Sequence, residues 1–341
     1  MKSLKLVGPR QLEFFERPEP HLTSSRDVKI QVKYAGICVD DMPFFRRDRD
    51  MLAWGSNLLP LNGHEMSGVV VECGQDAARS GIKVGDRVSG YAWNKCGECY
   101  YCKTGRESHC LNLVPAQGTL SEYIVWNARQ LMVLPPSVSM EEGCLTDPIG
   151  YAIHGVDRAK ISIGSKVLII GGTLNGQLML QMVKMQGASK ITMIDQEKTI
   201  RQLASSLGAE YTIDPVHENV AAIVSQITEG LGYDVIFETS GNIAMLSLAT
   251  RLLARHGSLL FSSIYGINTN LPISISELYL KEASLIPYYM APYILPRIKS
   301  IMCKLELKPL ITKVYDFKDA IMAYKDTETG LYPHVLVKVS D

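Results

Sequence analysis

The sequence lacks a charge bias: thirty-five Lys and Arg are matched by thirty-five Asp and Glu. No global field therefore draws the chain to nucleic acid or to anionic lipid. Long apolar runs are missing too, and none approaches the ~18–20 residues that a membrane span requires. The opening stretch MKSLKLVGPRQLEFFERPEP has neither an uninterrupted apolar segment nor a small-residue cleavage site. It does not read as a secretory signal, and the expected compartment is the cytoplasm. Internal repeats and low-complexity tracts are also lacking. What is present is 341 residues with 46% hydrophobic content and 27 glycines, the make-up of a globular protein of about two domains.

Cysteine is plentiful but badly placed for a disulfide framework. Of the eight cysteines (Cys38, Cys73, Cys96, Cys99, Cys102, Cys110, Cys144 and Cys303), four fall within fifteen residues. In a chain with no export signal, such crowding reads as metal binding. Cys96-Gly-Glu-Cys99-Tyr-Tyr-Cys102 is followed after seven residues by Cys110. Four thiolates at that spacing can close a tetrahedron around zinc and leave no position for substrate, so the site reads as structural.

Two textures divide the chain. Up to about residue 150, strand and turn signals dominate: Val28, Ile30, Val32 and Tyr34 alternate with polar residues, and turns recur at Asn62-Gly63, Gly85-Asp86 and Gly97-Glu98. From about residue 165, short apolar strands alternate with helix-length segments. Ser165–Gly171 leads into a helix to Gly187, and Lys190–Asp195 into a second ending near Gly208. Tyr233–Gly241, a helix through Arg255 and Ser258–Gly266 continue the series, which predicts a parallel, doubly wound sheet. Met179, Met182 and Val183 share one helical face and read as core, as does His154 in its apolar stretch.

Gly171-Gly-Thr-Leu-Asn-Gly176 follows a predicted strand and opens a helix, the context for dinucleotide binding. Its middle glycine is replaced by Thr173, which either holds the pyrophosphate off or offers it a hydroxyl donor. Asp195 ends the second strand nineteen residues after Gly176, where a carboxylate takes ribose hydroxyls and repels a 2′-phosphate. NAD is favoured over NADP on that ground. Another constellation is Cys38 with the pair His64-Glu65 in the glycine-flanked stretch Asn62–Gly68.

Gly36-Ile-Cys38, the GHEMSG stretch at 63–68, the four-cysteine lobe and the glycine-rich turn occur in the order seen in zinc-containing medium-chain dehydrogenases. The sequence resembles that family, which includes alcohol, sorbitol, threonine, galactitol-phosphate and aminocyclitol dehydrogenases, over essentially its whole length. The resemblance implies an α/β protein. Its parts are a GroES-like, strand-rich catalytic domain with a structural zinc lobe (1–148), a Rossmann NAD-binding domain (149–285) and a return segment packing on the catalytic domain (286–341). The active site is expected in the cleft between the domains.

The resemblance also implies two zinc ions per subunit. The catalytic one would be held by Cys38, His64 and, depending on the state of the site, Glu65. A glutamate before proline completes the set in polyol dehydrogenases. Here that place reads Asp147-Pro148, one methylene shorter, with Asp147 binding either directly or through water. Asp41 matches the acidic position that supports the zinc ligands. Asp40 replaces the hydroxyl that usually relays the substrate proton, and a carboxylate can accept that proton itself. Zinc would polarise a secondary hydroxyl while hydride moves to NAD.

Three readings of function compete. One is a polyol or (amino)cyclitol dehydrogenase. Another is a sugar-alcohol-phosphate dehydrogenase that uses the run Arg46-Arg47-Asp48-Arg49-Asp50, otherwise a solvated loop. The third is a family member that has lost its chemistry and serves as a zinc-stabilised binding protein. The acidic residues around the proposed metal favour a neutral or cationic substrate over a phosphate. The only partners expected are the small-molecule substrate and further copies of the chain, as homodimer or homotetramer, with no nucleic acid and no membrane.

Overall fold

The computed structural model describes residues 1–46, 63–115, 118–263, 265–266 and 268–341. Arg47, Asp48, Arg49 and Asp50 of the arginine run, and Asn62 of the expected turn, lie outside the described residues. The chain forms two compact units, one of Met1–Gly150 with Ala291–Asp341 and one of Tyr151–Met290. Among the described residues no helix is long and apolar enough to cross a membrane.

The first unit is built on a seven-stranded sheet. Its order runs Ile311–Asp316, His334–Lys338, Asp27–Ile37, Glu65–Cys73, Arg87–Gly90 and Leu131–Val133, with Tyr123–Asn127 also pairing with the long Asp27–Ile37 strand. The two strands from the chain's end thus lie in the same sheet as strands from its beginning. Val28, Ile30 and Val32 are fully buried, as alternation requires. The alternate face is not open to water, however: Asp27 and Lys29 are buried as well. Lys29 places its ammonium 2.7 Å from Glu19 and over the Tyr123 ring at 5.3 Å, so its charge is matched under a cover the local pattern does not reveal.

The second unit is a parallel six-stranded sheet. Its order is Tyr211–Ile213, Lys190–Ile194, Lys166–Ile170, Tyr233–Glu238, Leu253–Phe261 and Ser284–Pro287. Strand order reverses between Lys166–Ile170 and Tyr233–Glu238, and ligands of doubly wound sheets bind at the carboxyl ends of strands at such a point. The helix expected through Arg255 stops at Leu252, where Leu253 takes extended backbone and starts the next strand. In the helix Leu174–Met185, Met179, Met182 and Val183 are buried. His154 is only half-buried, its ring standing edge-on to Tyr288 at 6.1 Å.

Candidate active site

Strand register assembles the first cluster. In the antiparallel pair Asp27–Ile37 and Glu65–Cys73, Gly36 faces Glu65, so Cys38 and His64 continue from adjacent strand ends. Gly63 makes the turn into the second strand with φ 83°, a left-handed conformation that glycine adopts readily. After the first strand, the Cys38 sulfur accepts the Asp40 N–H at 3.5 Å and caps a short 3-10 turn, Val39–Asp41. The ligand-type atoms of Cys38, His64 and Glu65 all lie within 4.8 Å of one another.

The partners of these side chains orient them. Asp41 Oδ1 lies 3.2 Å from His64 Nδ1, which leaves Nε2 for another partner. Glu65 Oε2 lies 2.8 Å from His334 Nε2, with both side chains almost fully buried. His334 comes from the strand on the far side of Asp27–Ile37, and nothing local in the sequence marks it. Asp147 opens the helix Thr146–Ala159 and is buried beside the cluster, not within it. Its Oδ2 has no hydrogen-bond partner among the described residues.

Charge is crowded here. Burial, and then the Asp40 carboxylate, push the Cys38 thiol well up. Burial raises Asp40 to about 6 and Asp147 to about 7, with Glu65 adding to both and His64 opposing. Burial also works on Glu65, but His334 beside it outweighs this and holds the carboxyl below its ordinary value. Thiolate, imidazole and carboxylate are the donors zinc takes, and three protein ligands with a further position open is the pattern of catalytic sites. The cluster, with an unpartnered carboxylate oxygen next to it, fits such an ion.

The second cluster brings together Cys96, Cys99, Cys102 and Cys110, again within 4.8 Å. The Cys96 sulfur is 3.9 Å from that of Cys102 and 3.5 Å from that of Cys110, close to the spacing of ligands about 2.3 Å from a tetrahedral zinc. Backbone N–H groups of Glu98 and Cys99 point at the Cys96 sulfur and lower its thiol to about 6. Cys102 is pushed to about 12 by burial. The lobe is tied down from the return segment, where the Tyr293 hydroxyl donates to the Cys102 carbonyl at 2.5 Å.

The glycine turn occupies the carboxyl end of Lys166–Ile170. A Cβ on Gly176 would sit 2.0 Å from the Gly171 carbonyl oxygen, so the helix can approach the strand only with glycine there. Thr173 precedes the helix with φ −66° and ψ −170°, a conformation open to any residue, and its side chain makes no capping bond. The threonine is therefore unstrained. Asp195 Oδ2 accepts the Gly172 N–H at 2.7 Å and Oδ1 the Glu197 N–H at 2.8 Å, linking the turn to the neighbouring strand end. Helix N-terminal donors beside an acidic strand end fit a pyrophosphate and a ribose.

These features define a zinc-binding dehydrogenase. Residues 24–136 match the family described as Alcohol dehydrogenase GroES-like domain, and residues 176–298 match Zinc-binding dehydrogenase. The chain belongs to the zinc-binding medium-chain alcohol and polyol dehydrogenase family, with the GroES-like and Rossmann domains of that fold. It is 30% identical over 342 residues to "Probable D-xylulose reductase A" of Aspergillus fumigatus, covering 96% of this chain and 94% of the relative. It is also 30% identical over 309 residues to 2-dehydro-3-deoxy-L-galactonate 5-dehydrogenase of Pseudoalteromonas atlantica, covering 89% and 88%. A chain from Sinorhizobium meliloti solved bound to NADP is similar in structure, with a TM-score of 0.85, 25% identity and coverage of 99% and 98%.

Proposed function

We propose that this protein oxidises a secondary hydroxyl of a polyol or (amino)cyclitol with NAD, or runs the reverse reduction, using two zinc ions per subunit. The observation that carries the reading is the convergence of Cys38, His64 and Glu65 within 4.8 Å. Cys38, His64 and Glu65 would hold the catalytic zinc, with Asp147 as a further ligand, direct or through water. Cys96, Cys99, Cys102 and Cys110 would hold the structural one. When bound, zinc supplies a Lewis acid that makes a hydroxyl acidic, and the nicotinamide supplies a hydride acceptor.

The remaining work belongs to side chains. Asp41 fixes the His64 ring through Nδ1, and His334 fixes the Glu65 carboxylate. Asp40, half-buried next to the thiol, takes the hydroxyl proton as the carbonyl forms. Gly171, Thr173 and Gly176 form the turn that would cradle the pyrophosphate, and Asp195 would receive the ribose hydroxyls. The similarity to proteins named for xylulose and for a dehydro-deoxy sugar acid supports a polyhydroxylated substrate.

Asp40, Asp41, Glu65 and Asp147 make the surroundings of the metal acidic, which favours a neutral or cationic substrate over a phosphorylated one. Arg46 does not offset this freely, since its guanidinium lies 3.8 Å from Glu328. The test is turnover on an amine, a neutral hydroxyl compound and a phosphate of one carbon skeleton, in wild type and in Asp40→Ser. The amine should lead in wild type and lose its lead in the variant. Preference for the phosphate would overturn the charge argument. Light scattering would distinguish the homodimer or homotetramer expected for the family from a monomer.

A further inference from the structure

The acidic strand end at Asp195 is one member of a wider network along the carboxyl edge of the parallel sheet. Arg201, in the helix Lys198–Leu207, donates from one guanidinium nitrogen to the carbonyls of Asp195 at 2.7 Å and Gln196 at 2.8 Å. Its other terminal nitrogen lies 2.9 Å from Asp214 Oδ2, with side-chain exposures of 16% and 14% for the pair. Asp214 follows the adjacent strand Tyr211–Ile213, and its own position is fixed: Oδ1 accepts the Val216 N–H at 3.0 Å and the His217 N–H at 3.4 Å. Gly172, Asp195, Arg201 and Asp214 therefore form a continuous chain of contacts across three neighbouring strand ends.

A guanidinium is the side chain best suited to gripping a phosphate, because its planar fork offers paired donors. Here one reaches from the helix Lys198–Leu207 back to the turn that would bind the ribose, held by protein acceptors. We propose that Asp214 is a second specificity-determining residue for the cofactor: by pairing with Arg201 it keeps that guanidinium from serving a 2′-phosphate. Discrimination against NADP then has two parts, repulsion by Asp195 and capture of Arg201 by Asp214. The inference rests on the reading of this turn as the nucleotide site.

The test is a fluorescence titration of the whole protein with NADH and with NADPH. Asp214→Asn keeps the Oδ1 acceptor for the Val216 and His217 N–H groups while removing the charge that holds Arg201. It should improve NADPH affinity relative to NADH by about tenfold, the worth of one charged hydrogen bond. In Arg201→Ala/Asp214→Asn the gain should vanish. An equal gain in the double variant would show that loss of negative charge alone is responsible and would overturn the role given to Arg201. No gain in a folded Asp214→Asn that still binds NADH would overturn the proposal outright. Should that variant fail to fold, as judged by circular dichroism, Asp214→Ser is read by the same criteria. Wild-type protein that binds neither cofactor would sink the nucleotide-site reading itself, an outcome distinct from the other two.

Discussion

Glu65 Oε2 and His334 Nε2 meet at 2.8 Å across a strand that belongs to neither of them. The strand between is Asp27–Ile37, and the residue under the contact is Gly36. A Cβ at Gly36 would lie 2.0 Å from Glu65 Oε2 and 2.8 Å from His334 Nε2. The missing side chain is what allows a metal-ligand candidate to be gripped by an imidazole from the far end of the chain.

Removing either half of that contact should be costly. His334→Ala leaves a buried carboxylate without its partner, and losses of about 3–5 kcal/mol are usual for breaking buried pairs. Gly36→Ala should destabilise as well, since Glu65 has to move. His334→Gln, which can still donate, should lose less. Urea denaturation monitored by circular dichroism measures all three; equal stability of His334→Ala and wild type would show that the pair contributes nothing.

The two proposed metal sites should differ in lability. The four-thiolate cluster is closed, so a chelator should strip metal from Cys38 and His64 first and abolish turnover before the fold is affected. Cys99→Ser should weaken the lobe and lower the unfolding temperature, because zinc held there would couple its binding to folding. Metal analysis with thermal melts follows both steps. Fewer than about one zinc per chain in freshly purified protein would contradict the assignment of either site.

At the proposed nucleotide turn, Asp195→Ser should raise the use of NADP(H) relative to NAD(H), since the carboxylate proposed to repel a 2′-phosphate is gone. The cost should include a looser glycine turn, as Asp195 also accepts the Gly172 N–H. Thr173→Gly should tighten cofactor binding if the side chain only obstructs the pyrophosphate. Weaker binding in that variant would mean that the hydroxyl is a donor to it.

Glu238 gives a pH-dependent contribution to stability. It is fully buried at the strand end beside Gly171, and burial raises its carboxyl above the ordinary 4.5 despite hydrogen bonds from Ser240 and Tyr265. The unfolded chain therefore releases this proton at lower pH than the folded one. Stability is lost as pH rises from the ordinary value through the folded one, and is constant above it. Glu238→Gln removes this loss, so its stability relative to wild type should improve as pH rises from the ordinary carboxyl value through the raised folded one. A difference that does not change with pH, measured by chemical denaturation, would show that Glu238 does not titrate in that way.

Much of this protein is written locally. The cysteine spacing at 96–110 forms its cluster because the four residues share one short loop, whose own N–H groups turn toward the sulfurs. Alternation of apolar strands and helices after residue 165 determines a parallel sheet, since each segment must bury one face against it. The glycine turn was legible for the same reason: Gly171 and Gly176 answer a steric demand within six residues. Tertiary structure alone decided that Glu65 is held by His334, that Lys29 is buried under Glu19 and Tyr123, and that Arg201 is claimed by Asp214. Each of these joins elements that are separate in the sequence. Sheet order and register bring them together, and those follow from packing the whole core, which no short stretch of residues encodes.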